Sequence, residues 1–128
     1  DRLLLAHKPI WKQTRISVLA GFVEAGESAE QTCHREVYEE VGIKLGALRY
    51  YGTQPWPYPR ALMLAFVALA DSTEIRLDNQ ELAWAQFFTR KQLLIKLDSG
   101  ELTLPGQASI AARMIQDWLD HNLSISAN

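Results

Sequence analysis

Residues 21–43 read GFVEAGESAEQTCHREVYEEVGI, and this stretch decides the fold that we expect for the chain. Ser28, followed three residues later by Gln31, is the capping-box pattern, so a helix should begin just after Ser28. Gly42 stands where a helix commonly ends on a left-handed residue. The residues before Ser28 carry Gly26 and are typical of a loop. The stretch therefore predicts a loop, a helix and a turn.

Three glutamates crowd one side of that predicted helix. Glu36, Glu39 and Glu40 stand at positions i, i+3 and i+4, which places their carboxylates within about 100° of the helix surface. Like charges at this spacing repel each other, and a hard divalent cation would turn that repulsion into attraction. Mg²⁺ prefers oxygen ligands and shares its remaining positions with water and substrate phosphates. The cluster indicates metal-assisted chemistry on a phosphate compound, and the alternative is a solvated acidic face.

The wider spacing decides between these two interpretations. Gly21, Glu27 and the run at 35–43 (REVYEEVGI) stand at fixed separations, and in this the chain resembles the Nudix hydrolases. The resemblance implies an α/β Nudix fold, with a mixed β-sheet flanked by the box helix and a carboxy-terminal helix. It also implies that Glu36, Glu39 and Glu40 are catalytic residues and ligands of Mg²⁺ or Mn²⁺, with Glu40 or a nearby carboxylate helping to activate water.

The other fixed positions of the box are expected to be structural. They are Gly21, Glu27, Arg35 and Gly42. An Arg35–Glu27 pair can pin the loop onto the helix and so orient the ligand carboxylates.

A second motif follows at residues 53–59, which read TQPWPYP. Three prolines in seven residues predict a stiff loop without regular structure. Trp56 offers a ring that can stack on a planar base, and Gln54 can form hydrogen bonds with a ligand or with the backbone. The alternative is a structural loop whose Trp56 packs into the core or at a subunit contact.

This segment is similar to the Ser-Gln-Pro-Trp-Pro-Phe-Pro-x-Ser signature of the NADH pyrophosphatases, the bacterial NudC type of Nudix hydrolase. Thr53 and Tyr58 are mild departures from the signature, whereas Ala61 lacks the hydroxyl of its last serine.

Three further residues are assigned by the same resemblance. Phe22 is expected beside the nicotinamide end and Ala111 beside the nucleotide, which completes a substrate-binding set with Gln54 and Trp56. Glu81 is expected to be an additional catalytic glutamate and metal ligand, and the alternative is a surface residue between strands.

The reaction implied is attack of water on the diphosphate of NADH or NAD⁺, which gives nicotinamide mononucleotide and AMP. One alternative is another Nudix activity, such as hydrolysis of ADP-ribose or another nucleoside diphosphate derivative, or removal of an NAD cap from RNA. A second alternative is a Nudix-shaped ligand-binding module without catalysis, which a loss of box glutamates would have favoured.

The composition is typical of an ordinary globular chain, neither disordered nor fibrous. The 128 residues are 48% hydrophobic and 22% charged, and the net charge of −2 offers no broad positive surface for nucleic acid or membrane. We therefore expect no membrane association and no general nucleic-acid binding. The resemblance implies a dinucleotide as partner, with NAD-capped RNA as the one nucleic acid considered. Cys33 is the one cysteine, so no zinc site is expected in this chain, and a reducing, cytoplasmic setting is favoured.

We expect residues 1–128 to form a single Nudix domain. Full-length proteins of the resembled type carry an amino-terminal domain and a four-cysteine zinc ribbon, so we expect a longer protein truncated at its front. The resemblance also implies a homodimer in which Trp56 lies near the partner subunit.

Apolar patterns outside the box predict the remaining elements. We expect strands at 2–6, 16–20, 61–70 and 83–88, with 61–70 buried, a turn at Gly46 before strand-like residues up to 51, and a further short strand at 74–77. A short helix is predicted at 89–94 and an amphipathic helix at 107–122, with the intervening residues as loops.

Overall fold

Seven elements of regular structure form the fold in the computed structural model, which describes residues 1–56, 60–77 and 81–123. In chain order they are β1 (Leu3–His7), α1 (Ala29–Val41), β2 (Leu45–Trp56), β3 (Ala61–Ala70), β4 (Trp84–Phe88), α2 (Arg90–Asp98) and α3 (Ile110–Leu119). The predicted α/β class is confirmed. No helix within the described ranges is both long and apolar enough to cross a membrane.

The strands pair as two antiparallel ladders. β1 pairs with β4 from Leu3 opposite Phe88 to His7 opposite Trp84, and β2 pairs with β3 from Leu45 opposite Ala70 to Trp56 opposite Ala61. Isolated bridges add an antiparallel contact between Ala6 and Ser17 and a parallel one between Arg15 and Thr103. Both ladders are antiparallel and form separate two-stranded sheets, and the parallel pairing is limited to the isolated Arg15–Thr103 bridge.

The β1–β4 pair is the centre of the molecule because each of its faces is covered by helix. Side chains alternate between the faces of a strand, so Leu5 and Phe88 point to one side and Ala6 to the other. On the first side they pack with α2 and α3 through residues such as Leu93 and Ile115. On the other side α1 covers the pair, with the remaining core residues Val37, Val41, Ile43 and Leu82. The apolar side of the box helix is thus buried against the β1–β4 pair.

Several sequence expectations were wrong. The predicted strand at 16–20 is reduced to bridges, because Ile16 donates to the Thr103 carbonyl while its neighbour Ser17 pairs with β1. No strand forms at 74–77, where the Arg76 amide donates to the Val41 carbonyl at the end of α1. Gly46 lies inside β2 beside a register shift rather than in a turn.

The second motif also differs from expectation. β2 continues through Pro55 to Trp56, although prolines were expected to exclude regular structure there. Proline is tolerated in a strand wherever its missing N–H is not needed by the ladder. Residues 57–59, which include Tyr58 of the motif, lie outside the described residues. β3 was expected to be buried, yet its side chains are exposed or half-buried along its whole length.

Candidate active site

The ends of α1 fix how its side chains are presented. The Ser28 hydroxyl accepts from the Gln31 amide at 3.1 Å, and the Gln31 side chain accepts from the Ser28 amide at 2.8 Å, which confirms the predicted capping box. Gly42 has φ of 73° and donates to the Tyr38 carbonyl, as the predicted C-terminal turn requires. Because both ends are capped, the orientation of the helix about its own axis is fixed. Glu40 faces inward, while Glu36 and Glu39 lie nearer the surface.

Arg35 joins the loop before the helix to the helix itself. Its Nε donates to Glu27 Oε2 at 2.7 Å and its Nη2 donates to Glu27 Oε1 at 3.0 Å, which is a two-pronged ion pair. Nη2 also donates to the Phe22 carbonyl at 3.0 Å, and the Thr32 hydroxyl donates to Glu27 at 2.7 Å. The hydrogen bonds that Glu27 accepts, from Arg35 first and then from Thr32, lower its pKa to about 2. The loop is therefore held by charged bonds that persist at neutral pH.

The same guanidinium also holds two of the predicted metal ligands. Arg35 Nη1 donates to Glu36 Oε1 at 2.7 Å and to Glu39 Oε1 at 3.1 Å. The bonds to Glu27 and then to Glu36 raise the pKa of Arg35 above its already high ordinary value. One permanent cation thus offsets part of the repulsion between these carboxylates and limits their movement.

Glycine at position 21 allows the loop to approach Glu36 closely. A Cβ atom at Gly21 would lie 2.3 Å from Cδ and 2.4 Å from Cγ of the Glu36 side chain. No side chain fits there without displacing that carboxylate. The loop therefore packs directly against a predicted ligand, which is a physical reason for glycine at the first position of the box.

Glu40 differs from Glu36 and Glu39 because its side chain is buried. Its side chain is only 2% exposed, and neither of its carboxylate oxygens receives a hydrogen bond. Burial first, then the charge of Glu36, then the neighbouring Glu81 raise its pKa to about 7. Glu81 lies close enough to Glu40 to contribute to this raised pKa. A buried carboxylate without a donor is unfavourable unless it is protonated or a cation approaches it.

The structure therefore brings the four predicted acidic residues into one neighbourhood. Glu36, which Arg35 holds, also lies near the buried Glu40. Glu81, just before β4, approaches Glu40 from outside the helix. Within the described ranges no three acidic, histidine or cysteine side chains are arranged so that they could together hold a metal ion. Mg²⁺ does not require three such side chains, because it commonly binds one or two carboxylates together with waters and substrate phosphates.

Comparison with known proteins agrees with this geometry. The family described as NUDIX domain matches residues 1–105. The chain belongs to the Nudix hydrolase family. Its fold is shared with a solved Nudix hydrolase from Nitrosomonas europaea, with a TM-score of 0.68, 22% identity, and coverage of 98% of this chain and 85% of the other.

Two curated Nudix relatives bear more specific names. "NAD-capped RNA hydrolase NudC" of Mycobacterium bovis (strain BCG / Pasteur 1173P2) is 43% identical over 92% of this chain and 41% of its own length. "NAD-capped RNA hydrolase NUDT12" of Homo sapiens is 40% identical over 94% of this chain and 27% of its own length. The chain thus spans less than half the length of these relatives.

The predicted substrate-binding residues of this Nudix domain lie on three separate segments. Phe22 is 86% exposed at the start of the box loop, and Trp56 is 51% exposed at the end of β2. Ala111 is half-buried in the first turn of α3. The two rings are available to a planar ligand, and the backbone of Phe22 is tied to Arg35.

Gln54 is placed differently from the other three. Its Nε2 donates to the Ala108 carbonyl at 2.7 Å, and its Oε1 accepts from the Ile110 amide at 2.8 Å. Of the two options left open by the sequence, a ligand or the backbone, these contacts are with the backbone. Gln54 therefore joins β2 to the start of α3.

Sequence reasoning missed two contacts near the site. Thr32 donates to Glu27 inside the box, and the Tyr51 hydroxyl donates to Asp117 Oδ2 at 2.5 Å between β2 and α3. Burial first, and then the bond to Asp117, raises the pKa of Tyr51 to about 12. The spacing of Thr32 from Glu27 could have signalled the first contact, but nothing local in the sequence joins residues 51 and 117.

Proposed function

We propose that this Nudix domain is a Mg²⁺- or Mn²⁺-dependent pyrophosphohydrolase that cleaves the diphosphate of NADH and NAD⁺ to nicotinamide mononucleotide and AMP. The observation that carries the proposal is the buried Glu40 carboxylate, which lacks a hydrogen-bond donor and lies beside Glu36 and Glu81. The names of the relatives, which refer to NAD-capped substrates, support the choice of dinucleotide.

The acidic residues fit a hard divalent cation. The unpartnered oxygens of Glu40 offer it ligands, and Glu36, Glu39 and Glu81 would complete the protein's contribution. A bound divalent ion supplies charge neutralisation at the phosphate oxygens and a lowered pKa for water. Oxygen-only ligands of this kind suit magnesium or manganese better than zinc.

The chain's own residues account for proton transfer and orientation. Water adds to one phosphorus, the bridging oxygen leaves with the other phosphate, and a carboxylate accepts the proton of the water. Glu40 or a nearby carboxylate such as Glu81 is proposed for that role, because a general base works best with a pKa near the working pH and burial raises the pKa of Glu40 in the metal-free chain. Arg35 holds Glu36 and Glu39 in place and does not itself touch the reacting atoms in this proposal.

Phe22 and Trp56 are proposed to hold the base. Both rings are exposed, and planar bases stack on such rings. Ala111 is proposed to border the nucleotide, where a small side chain leaves room for it. Ala61, which lies opposite Trp56 in the ladder, offers no hydroxyl to phosphate or ribose.

A second candidate substrate is the NAD cap of RNA. The relatives in Mycobacterium bovis and Homo sapiens are both named as NAD-capped RNA hydrolases, and the bond cleaved would be the same. The net charge of −2 gives the chain no broad positive surface, so contacts to RNA beyond the cap would contribute little affinity.

We further propose a homodimer and a reducing, cytoplasmic setting. Large apolar side chains are exposed on β2 and β3, including Trp56, Leu62, Met63, Leu64 and Leu69, and a second copy could bury them. Cys33 is a free thiol, and burial raises its pKa. Sedimentation of the purified chain tests the dimer directly.

A substrate panel tests the proposed reaction. The chain is incubated with Mg²⁺ or Mn²⁺ and, separately, NADH, NAD⁺, ADP-ribose and NAD-capped RNA, and the products are separated. We expect nicotinamide mononucleotide and AMP from NADH and NAD⁺, and no products when the metal is chelated. A wide preference for ADP-ribose would overturn the substrate assignment, and metal-independent cleavage would overturn the chemistry.

A further inference from the structure

An open cleft of about 730 Å³ lies on the face of the β1–β4 pair that is turned away from α1. Its apolar wall is formed by Trp84, Phe88 and Leu102, which pack with the core on the α2 and α3 side. Ligand-binding clefts commonly have volumes of about 300–1,000 Å³ and combine an apolar wall with a few polar groups. The cleft therefore has a size that suits a small molecule, and the acidic residues of α1 do not line it.

His7, which lines the cleft, has one ring nitrogen without a partner. The His7 side chain is only 7% exposed, and its Nδ1 lies 2.7 Å from the Arg15 carbonyl oxygen. Because a carbonyl oxygen can only accept, Nδ1 must carry the hydrogen, and the neutral ring leaves Nε2 as an acceptor. Within the described residues Nε2 has no hydrogen-bond partner, yet solvent reaches this atom. His7 thus offers an unused acceptor to a molecule in the cleft.

Aromatic neighbours hold the His7 ring in this orientation. The ring stacks on Trp84, with centroids 6.0 Å apart and planes at 23°, and Trp11 meets it edge-on at 6.3 Å. His7 lies opposite Trp84 in the β1–β4 ladder, so both side chains stand on the same face of the sheet. These rings and the bond to the Arg15 carbonyl leave the imidazole little freedom to turn over. The acceptor is therefore preorganised beside an aromatic side chain, which favours a planar ligand.

The two charged residues that line the cleft neutralise each other. Lys96 Nζ donates to Glu101 Oε2 at 2.6 Å. Two further polar side chains of the lining, Gln13 and Gln86, are exposed and uncharged amides. A phosphate group would find Lys96 already paired and would be repelled by Glu101. The lining therefore favours an uncharged ligand.

We propose that this cleft binds an uncharged, planar nitrogen heterocycle of the nucleobase type, which packs against Trp84 and donates an N–H to His7 Nε2. Adenine fits these requirements, because its amino group donates and its ring nitrogens can accept from the glutamine amides of the cleft. A free base or nucleoside is favoured over a nucleotide, since the lysine that lines the cleft is already paired. The site is separate from the rings proposed to hold the base, Phe22 and Trp56, which do not line this cleft. It therefore does not depend on the proposed function.

Titration of the whole chain with adenosine, followed by nuclear magnetic resonance, tests this site. At pH 8 the ¹⁵N shifts of the His7 ring should show the hydrogen on Nδ1, and adenosine should shift the signals of Nε2 and of the Trp84 indole. We expect a dissociation constant of roughly 0.1–1 mM for adenosine, and weaker binding of AMP in this cleft. A hydrogen on Nε2, or adenosine-induced shifts confined to Phe22 and Trp56, would overturn the inference.

His7→Asn removes the acceptor selectively. The asparagine amide nitrogen can take the place of Nδ1 and still donate to the Arg15 carbonyl, whereas no atom replaces Nε2. Loss of this one hydrogen bond should weaken adenosine binding in the cleft about fivefold to tenfold. Trp56→Ala serves as the comparison and should leave that binding unchanged. Unaltered affinity in His7→Asn, or loss of binding in Trp56→Ala alone, would contradict the proposed site.

Gln86→Ala gives an answer even if His7→Asn does not fold. Gln86 is exposed on β4, so its truncation should spare the core and should weaken adenosine binding about threefold. Gln107→Ala is the matched control, because Gln107 is an exposed glutamine that does not line the cleft, and this variant should bind adenosine like wild type. Equal affinities in the two glutamine variants would count against the cleft as the binding site.

Discussion

The box segment at 21–42 and the β2–β3 hairpin are stabilised by different kinds of contact. In the box, one charged side chain makes contacts with partners 1 to 13 residues away: Arg35 bonds to Glu27, Glu36, Glu39 and the Phe22 carbonyl. The hairpin depends on a long backbone ladder, and its large apolar side chains, such as Leu62, remain exposed. The box is therefore held by charged contacts of its own as well as by its packing on the core, whereas the hairpin presents an apolar surface.

This difference bears on catalysis and specificity separately. The proposed chemistry depends on Glu40, whose environment is set by burial in the core. The proposed substrate choice depends on Trp56, which is half exposed at the end of the hairpin. We therefore expect substitutions in the box to affect turnover or stability strongly, and substitutions on the hairpin to affect substrate affinity with little change in stability.

The largest effect is expected at Glu40. Glu40→Gln should lower metal-dependent turnover of NADH roughly 10²–10⁴-fold, because it removes a proposed base and metal ligand. Stability should not fall with it. The raised pKa means that this carboxyl favours folding below pH 4.5 and loses that contribution as pH rises through about 7, so at pH 8 the charged form is unfavourable.

Steady-state kinetics measures the loss of turnover in Glu40→Gln, and urea unfolding of the metal-free protein at pH 8 measures its stability. Glu30→Gln is the matched control, since Glu30 is an exposed glutamate in the first turn of the same helix. Turnover at the wild-type level in Glu40→Gln would remove Glu40 from the mechanism.

A smaller but clear effect is expected at Gly21. Gly21→Ala would place a Cβ 2.3 Å from Glu36 Cδ, so the loop or the carboxylate must move, which should destabilise the fold by roughly 1–3 kcal/mol. Gly106→Ala is the control, because a Cβ there meets open space. Denaturant unfolding of the two variants gives the comparison, and equal stabilities would show that the close packing of the box loop is not required.

The pH dependence of the box is the next test. The pKa of Glu27 is lowered from 4.5 to about 2, so its contribution to stability is present above pH 4.5 and is lost as pH falls toward 2. The difference in unfolding free energy between wild type and Glu27→Gln should therefore shrink over that interval. Urea unfolding at a series of pH values measures it, and a constant difference would contradict the role of the Arg35–Glu27 pair.

The smallest effect on stability is expected on the hairpin. Trp56→Ala should change the unfolding free energy by less than about 0.5 kcal/mol in the isolated chain, since half of the side chain is already exposed. The same change should raise the KM for NADH. A large loss of stability together with an unchanged KM would reverse the proposed division between box and hairpin.

The elements that could be predicted from the sequence are those that, like the box, depend on local contacts. The box helix was predicted to the residue at both ends because its caps are local: Ser28 bonds to Gln31, and Gly42 to Tyr38. The second capping box, at Thr89 and Gln92, was overlooked, and α2 runs to Asp98, beyond the predicted end at residue 94. The last helix was predicted too long, since its N-cap is Ser109 and its regular part ends at Leu119.

What could not be predicted depends on distant partners. Whether 16–20 forms a strand depends on Thr103, and the role of Gln54 depends on Ile110. The burial of β3 depends on what packs against it, which a run of apolar residues does not reveal. Of the site, the grouping of Glu36, Glu39 and Glu40 follows from helical spacing alone, whereas the approach of Glu81 to Glu40 came only through the resemblance.

The acidic side of α1 is proposed to bind a divalent cation, and the proposed chemistry depends on that ion. Binding of Mn²⁺, followed by electron paramagnetic resonance with and without a non-hydrolysable dinucleotide analogue, tests it most directly. We predict uptake by wild type and by Glu30→Gln, and a loss of at least about tenfold in affinity for Glu36→Gln and Glu40→Gln. Equal uptake by all four proteins, or none by wild type even with the analogue present, would contradict the account.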